Sequence, residues 1–315
     1  MKKIAEIIKK AEKVSIISHK DPDGDAVGSQ LGLALALEKE GKEVYSYNVG
    51  EIPEYLFFLP GSRTVKIYNG EDLSDSLVIF VDCADRNRPG IQLPEGMTIN
   101  IDHHVSNDNF AKYNYIETKA ASTGEIIYKL LREMGIELDK DIATCLYTAV
   151  STDTGSFMYS NTTADTHLIA ADLINNGADT DGLRENFFEG VSFKRFKLTK
   201  YAYQEVNFAC DNLLAWIKIP YSFIGEIGAK EEETEGVVGH IRNIKDVEVA
   251  LLLKEREDGK IKGSLRSKKM VDVSKIAEIF GGGGHKRAAG FELSGSLEEA
   301  EEIVISALKK ELKNV

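Results

Sequence analysis

Four short stretches of this chain carry side chains of the types that can bind divalent cations. His19, Asp23 and Asp25 lie in HKDPDGD. Asp82 ends the apolar run SLVIFVD. Asp102, His103 and His104 end TINIDHH, and Asp153 sits in STDTG after an apolar helical stretch. Gathered in one cleft, Asp23, Asp25, Asp82 and Asp153 would put four like charges together, each raising the others' pKa. Two dications would cancel those four charges. Mixed imidazole and carboxylate ligands suit Mn²⁺ best, with Co²⁺, Mg²⁺, Fe²⁺ and Zn²⁺ as alternatives. A pair of metal ions is the usual device for in-line attack on phosphorus.

Each stretch alone has an ordinary reading. An Asp after a strand is often a helix cap or a turn residue, and a histidine pair is often surface. DPDGD resembles part of a calcium loop but lacks the downstream Glu of an EF-hand. Cys83, beside Asp82, reads as a buried small residue rather than a nucleophile. The argument for one site is joint occurrence in a repeating frame.

That frame is an alternation of strands and helices. VSIIS (14–18), EVYSYNV (43–49), SLVIFVD (76–82) and TINID (98–102) read as strands. Residues 25–41, 123–134, 139–150 and 163–176 read as helices, with Gly41 and Gly135 as stops. SLVIFVD is apolar almost throughout, which suits a strand covered on both faces of a parallel sheet. The expectation is an α/β fold with an N-terminal doubly wound parallel sheet. In such sheets ligands bind outside the carboxyl ends of the strands, and parallel packing is expected to bring all four stretches to that edge.

After Asp179 the pattern turns helical and charged, predicting a connector. The second part alternates again: NLLAWIKIP, VEVALLLKER and KIKGSLRS as strands with a turn at Glu257–Gly259, then a helix, the run GGGGHKRAAGFEL and a closing helix. The expected division is residues 1–186, a connector over 187–210, and a smaller α/β domain over 211–315.

Charge narrows the partners. The 315 residues hold 39 Lys+Arg against 51 Asp+Glu, a formal net charge of −12. Stable binding to duplex DNA would call for a basic face, so none is expected. One compact basic patch stands out: Lys260, Lys262, Arg266, Lys268 and Lys269, with Lys286 and Arg287 nearby. The glycine run Gly281–Gly284 offers backbone N–H groups and room for close approach by a phosphate. Read as a bare run, it is equally a flexible turn. Tyr113, Tyr115, Phe187, Phe188, Phe193 and Phe196 are aromatic candidates for base stacking, with Phe187 and Phe188 read as packing for the connector. No apolar run approaches the ~20 residues that cross a bilayer, and the first residues read as an amphipathic helix rather than a signal peptide. Three scattered cysteines give no disulfide framework, so a cytoplasmic location and no membrane partner are expected.

HKDPDGDAVGS, VDCAD, IDHH, STDTGSF and GGGGHKRAAGF, in that order, resemble the motifs of the DHH phosphoesterase superfamily with a C-terminal DHHA1 domain. The resemblance covers nearly the whole chain, and the length is similar to the oligoribonuclease/pAp-phosphatase branch. It implies that His19, Asp23 and Asp82 hold a first metal ion. Asp25, Asp82, His103 and Asp153 would hold a second, with Asp82 shared. Which of His103 and His104 is the ligand stays open. His104 would stand beside the substrate phosphate, and Asp102 would fix a histidine tautomer. Arg266, Ser267, Gly282, Gly283, Gly284 and His285 would grip substrate. The implied activity is hydrolysis of short RNA and linear dinucleotides such as pApA to mononucleotides, and of the 3′-phosphate of pAp, by a homodimer. The rival readings are a manganese inorganic pyrophosphatase and a non-catalytic nucleotide-binding module.

Overall fold

The computed structural model describes residues 1–189, 192–234 and 236–313. The chain divides into two compact units, Met1–Gly190 and Val191–Val315.

The first unit is built on six parallel strands: β1 (Lys13–Ile17), β2 (Glu43–Asn48), β3 (Lys66–Ile67), β4 (Leu77–Val81), β5 (Thr98–Asp102) and β6 (Tyr113–Ile116). Their order across the sheet is β3-β2-β1-β4-β5-β6. The order reverses between β1 and β4, which pair directly from Val14–Leu77 to Ile17–Phe80. This is the switch point where a parallel sheet opens a crevice. The doubly wound parallel sheet expected from the sequence is present. Two strands went unread: β3 has only two residues, and β6 is a half-buried edge strand rich in Tyr and Asn.

Period-two alternation splits β4 between two cores. Leu77, Ile79 and Val81 face a core with α1 (Lys2–Lys10), α2 (Gly24–Lys39), α3 (Thr123–Met134), α4 (Lys140–Asp153) and α5 (Ala164–Asn175). Val78 and Phe80 face the other side with Ile17, Tyr47 and Cys83. Each buried Leu, Ile, Val or Phe stabilises by about 1.5–3 kcal/mol, so this alternation fixes the register. The short α6 (Thr180–Leu183) closes the unit, and Phe187 packs edge-to-face on Tyr55 at 5.4 Å. The side chain of Phe188 lies outside the described residues.

One helix contact matters for everything that follows. Gly24, Gly28 and Gly32 recur every four residues on α2, facing α4. A Cβ on Gly28 would lie 2.4 Å from the Cys145 carbonyl oxygen, and one on Gly24 would lie 2.5 Å from Thr152 Oγ1. Glycine alone lets the two helices approach this closely. That approach brings the carboxyl end of α4, with Asp153, to the amino end of α2, with Asp25.

The second unit is a mixed six-stranded sheet: β7 (Asn207–Ala209), β8 (Leu214–Ile219), β9 (Val249–Glu255), β10 (Ile261–Ser267), β11 (Gly283–His285) and β12 (Ala288–Leu293), in the order β11-β12-β10-β9-β8-β7. Its helices are α7 (Phe193–Glu205), α8 (Tyr221–Glu226), α9 (Val237–Arg242), α10 (Val273–Ile279) and α11 (Leu297–Leu312). Leu198 and Ala202 of α7 pack with Val237, Val238 and Ile241 of α9. Helix α7, within the stretch read as a connector, thus packs into a core of this unit. Among the described residues, no helix is long and apolar enough to cross a membrane.

Candidate metal centre

The carboxyl ends of β1, β4 and β5 deliver His19, Asp82 and the Asp102–His104 triplet to one edge of the sheet. Helix α2 begins there too. Asp23 is its N-cap, with Oδ1 accepting from the Asp25 and Ala26 amides at 3.1 Å each. The ordinary role of a cap residue is thus filled, while the carboxylate still faces His19: Nε2 to Asp23 Oδ1 is 3.9 Å.

The donor atoms fall into overlapping groups. His19, Asp23 and Asp82 form one, and Asp25, His103 and Asp153 another. Asp82 stands between them, with Oδ2 3.5 Å from His19 Nε2 and Oδ1 3.8 Å from His103 Nε2. His103 Nε2 also lies 3.5 Å from Asp153 Oδ2 and 3.9 Å from Asp25 Oδ2. Most of these separations exceed a good hydrogen bond. They match neighbouring ligands on one ion, because metal–ligand bonds of about 2.0–2.2 Å leave adjacent donors roughly 3–4 Å apart. The donor set therefore fits a dication in each group.

The two histidines of the pair are not equivalent. His103 turns Nε2 toward three carboxylates. His104 commits Nδ1 to Asp102 Oδ1 at 2.7 Å, and Asp102 Oδ2 accepts from Asn107 Nδ2 at 2.6 Å. His104 also comes within 3.6 Å of Asp82 Oδ1, so it belongs to a third group with Asp82 and His103. Its side chain is 37% exposed against 15% for His103. The hydrogen bond to Asp102 is the main reason its pKa is pushed up to about 9, with the nearby carboxylates adding to it.

Electrostatics shows the strain of the bare site. Burial first, then the charges of Asp82 and Asp153, push the Asp25 carboxyl well above its usual range. Burial also raises Asp153, to about 6. Burial would raise Asp82 as well, but the hydrogen bond from His19 and the charges of His104 and His103 outweigh it and hold its pKa low. Such mutual repulsion is what a bound cation relieves.

Three supporting residues, Thr123, Gly124 and Ser29, were not read from the sequence. Thr123 Oγ1 donates to Asp82 Oδ1 at 2.9 Å. The first amides of α3, Thr123 N–H and Gly124 N–H, donate to Asp25 at 2.7 and 2.9 Å, and Ser29 adds a third bond at 3.0 Å. A helix amino end favours a carboxylate, which holds Asp25 in place at 2% exposure. The available signal was Ser122 opening a helix beside the DHH stretch. Cys83 is buried, with its thiol pKa raised by burial and its Sγ donating to the Val81 carbonyl, as a small packing residue would be.

The residues expected to grip substrate separate in the second unit. The alternation of β10 puts Lys262, Ser264 and Arg266 on one face. They line a cavity of about 450 Å³ together with Lys254, Gly283 and Gly284. Ser267 points to the opposite face, 2% exposed, donating to the Val271 carbonyl at 2.7 Å. Gly282 is used by the fold: its amide donates to Ala277 O, closing α10, and a Cβ there would strike the Gly290 carbonyl at 2.1 Å. Gly283 is different, since nothing lies within 4 Å of a Cβ placed there. His285 is exposed on β11. Of the aromatic candidates, Tyr113 and Tyr115 pack half-buried against the first unit's core, while Phe193 and Phe196 stack on each other in the open.

Two family models match the chain: the DHH family, N-terminal domain, over residues 13–150, and the DHHA1 domain over residues 213–314. A bifunctional oligoribonuclease and PAP phosphatase of Thermus thermophilus is 35% identical over 99% of this chain and 94% of its own length. The chain belongs to the DHH family. A second relative, the bifunctional oligoribonuclease and PAP phosphatase of Bacillus subtilis, is 31% identical over 91% of this chain and 90% of its own. Among solved structures, an exopolyphosphatase-related protein of Bacteroides fragilis superposes with a TM-score of 0.90. It is 29% identical and covers 98% of this chain and 95% of its own. The DHH motif of this chain is Asp102–His103–His104, the triplet whose three side chains take three different positions in the site.

Proposed function

We propose that this DHH-family chain is a two-metal phosphoester hydrolase acting on short oligoribonucleotides and linear dinucleotides such as pApA, and on the 3′-phosphate of pAp. The observation that carries the reading is Asp82, whose two carboxylate oxygens face two separate imidazoles in two separate donor groups. The names of full-length relatives support the substrate class.

His19, Asp23 and Asp82 would hold one dication, and Asp25, Asp82, His103 and Asp153 the other, with Mn²⁺ preferred for this donor set. Such a pair, when bound, lowers the pKa of water to about 7 and draws off charge from the phosphoryl oxygens. The chain's own residues do the rest. Asp102 accepts from His104 Nδ1 and orients the ring, and a protonated His104 would offer its Nε2–H to a phosphate oxygen as negative charge develops. Thr123 and the amino end of α3 keep Asp82 and Asp25 aimed without substrate present. We propose residues 1–186 for this chemistry and 211–315 for gripping substrate, joined by 187–210. Arg266, Gly283, Gly284 and His285 supply the grip, while Ser267 and Gly282 shape it. The cavity beside Arg266 is compact, in keeping with a grip on a chain end rather than a long strand. We place the protein in the cytoplasm, in keeping with three free cysteines, and take it to act as a homodimer by family resemblance.

The test is one panel with Mn²⁺: pApA, pAp, pyrophosphate, and an RNA series from two to about twenty-four nucleotides. Fastest turnover of the shortest RNAs and of pApA is expected. Preference for pyrophosphate would make it a pyrophosphatase, and preference for the longest RNA would defeat the proposed grip.

A further inference from the structure

The loop after α4 holds an aromatic ring that the fold grips on one face and leaves open on the other. Gly155 lies two residues beyond Asp153 at φ +55°. A Cβ built on it would sit 2.4–2.6 Å from Cζ, Cε1 and Cε2 of Tyr159. The ring of Tyr159 therefore rests flat against a bare glycine, where no other residue would admit it. Backbone bonds fix this seat: Tyr159 N–H donates to Thr154 O at 2.9 Å, and Ser156 N–H to Ser151 O at 2.7 Å. Asn161 Nδ2 bridges the loop to the carbonyls of Asp153 and Ala121 at 3.1 and 3.0 Å. The ring is thus tied to the helix end that presents Asp153 to His103.

The core does not use this ring. Phe157, two residues earlier, turns inward at φ +64°, stacks on His167 at 5.3 Å and packs beside Tyr147. Tyr159 stays 58% exposed beside Met158 at 79%. An ordered aromatic with one open face costs little further entropy on binding a second flat ring, and every nucleobase offers one.

We propose that Tyr159 is the stacking platform for the nucleobase of the nucleotide whose phosphate is cleaved at the carboxylate–histidine cluster. This rests on the nuclease reading above and adds a specificity-determining residue to it. The glycine that seats the ring lies two residues beyond Asp153, and the loop is bonded back to the Thr154 and Asp153 carbonyls, so ring and carboxylate share one helix end. Any base can stack, so the platform selects for the presence of a base and not for its identity.

The test compares adenosine 3′,5′-bisphosphate with the same bisphosphate lacking its base. Wild type should favour the base-bearing compound. Tyr159→Ala should raise KM for it roughly 5- to 100-fold and leave KM for the abasic compound nearly unchanged. Tyr159→Phe should behave as wild type. Replacing adenine by 2-aminopurine gives a second readout: its fluorescence should be quenched on wild type and Tyr159→Phe and not on Tyr159→Ala. Should the Ala variant fail to fold, Tyr159→Leu keeps apolar bulk on Gly155 without a π face and should give the same pattern. Equal KM changes on both compounds, or quenching that survives loss of the ring, would overturn the assignment. Quenching without turnover of either compound by wild type would uphold the platform and remove the nuclease reading.

Discussion

Thr123 Oγ1 donates a 2.9 Å hydrogen bond to Asp82 Oδ1, joining the first turn of α3 to the end of β4. Asp82 itself sits at φ +59°, in the left-handed region that L residues rarely adopt. Its amide donates to Ile101 O at 3.0 Å, which holds the turn. Backbone twist and hydroxyl together aim one oxygen at each donor group. Thr123→Val keeps the shape and removes the hydroxyl. It should cost roughly 10- to 100-fold in Mn²⁺ affinity or kcat, read by calorimetric titration and initial rates, with Thr123→Ser close to wild type. A Val variant that matches wild type in both would show that the backbone alone aims Asp82.

The metal-stripped protein should lose stability as pH rises. The Asp153 carboxyl is pushed up to about 6 and the His104 imidazole to about 9, so the folded state holds protons that the unfolded chain has released. The Asp153 contribution is complete below its usual 3.8 and lost through about 6. The His104 contribution is complete below 6.5 and lost through about 9. Urea midpoints of chelator-treated protein should therefore fall from pH 5.5 to pH 9. Mn²⁺ at a hundredfold excess over its Kd should add about 2.7 kcal/mol for each site filled at neutral pH. A midpoint that rises with pH, or ignores Mn²⁺, would refute a cation-relieved cluster.

Adjacent glycines should respond oppositely to one methyl group. Gly282→Ala drives a Cβ into the Gly290 carbonyl and Phe291, so thermal melting should show a loss of several degrees. Gly283→Ala meets nothing, so the fold should stand while substrate KM rises. Equal stability of the two variants would contradict the packing described for this run.

Arg266 and Ser267 are neighbours on opposite faces of β10. Arg266→Ala should weaken substrate binding with stability nearly unchanged. Ser267→Ala removes one of two donors to the Val271 carbonyl, leaving Arg287 Nη1 at 2.8 Å, and should cost about 0.5–1.5 kcal/mol of stability, with a smaller effect on KM. Chemical denaturation and KM measured on both variants separate the two roles, and a reversed pattern would place the grip on the other face.

The sequence by itself determined the α/β frame and the residues available for metal, because both rest on local patterns. An apolar run such as SLVIFVD suits a covered strand, and an Asp that ends such a strand lies at the sheet edge. The motif order did the same for His19, His103 and Asp153. Tertiary structure decided what local patterns cannot encode. It separated His103 from His104 through Asp102, a contact set by side-chain direction. It brought Thr123 to Asp82 and α4 to the glycine face of α2, contacts between distant parts of the chain. It divided the run Gly281–Gly284: packing requires glycine at 282 and 284, a left-handed φ favours it at 281, and neither demands it at 283. And it turned Phe157 inward and Tyr159 outward on a single loop, because three left-handed residues in succession, Gly155, Ser156 and Phe157, reverse the chain where sequence spacing shows only two aromatics.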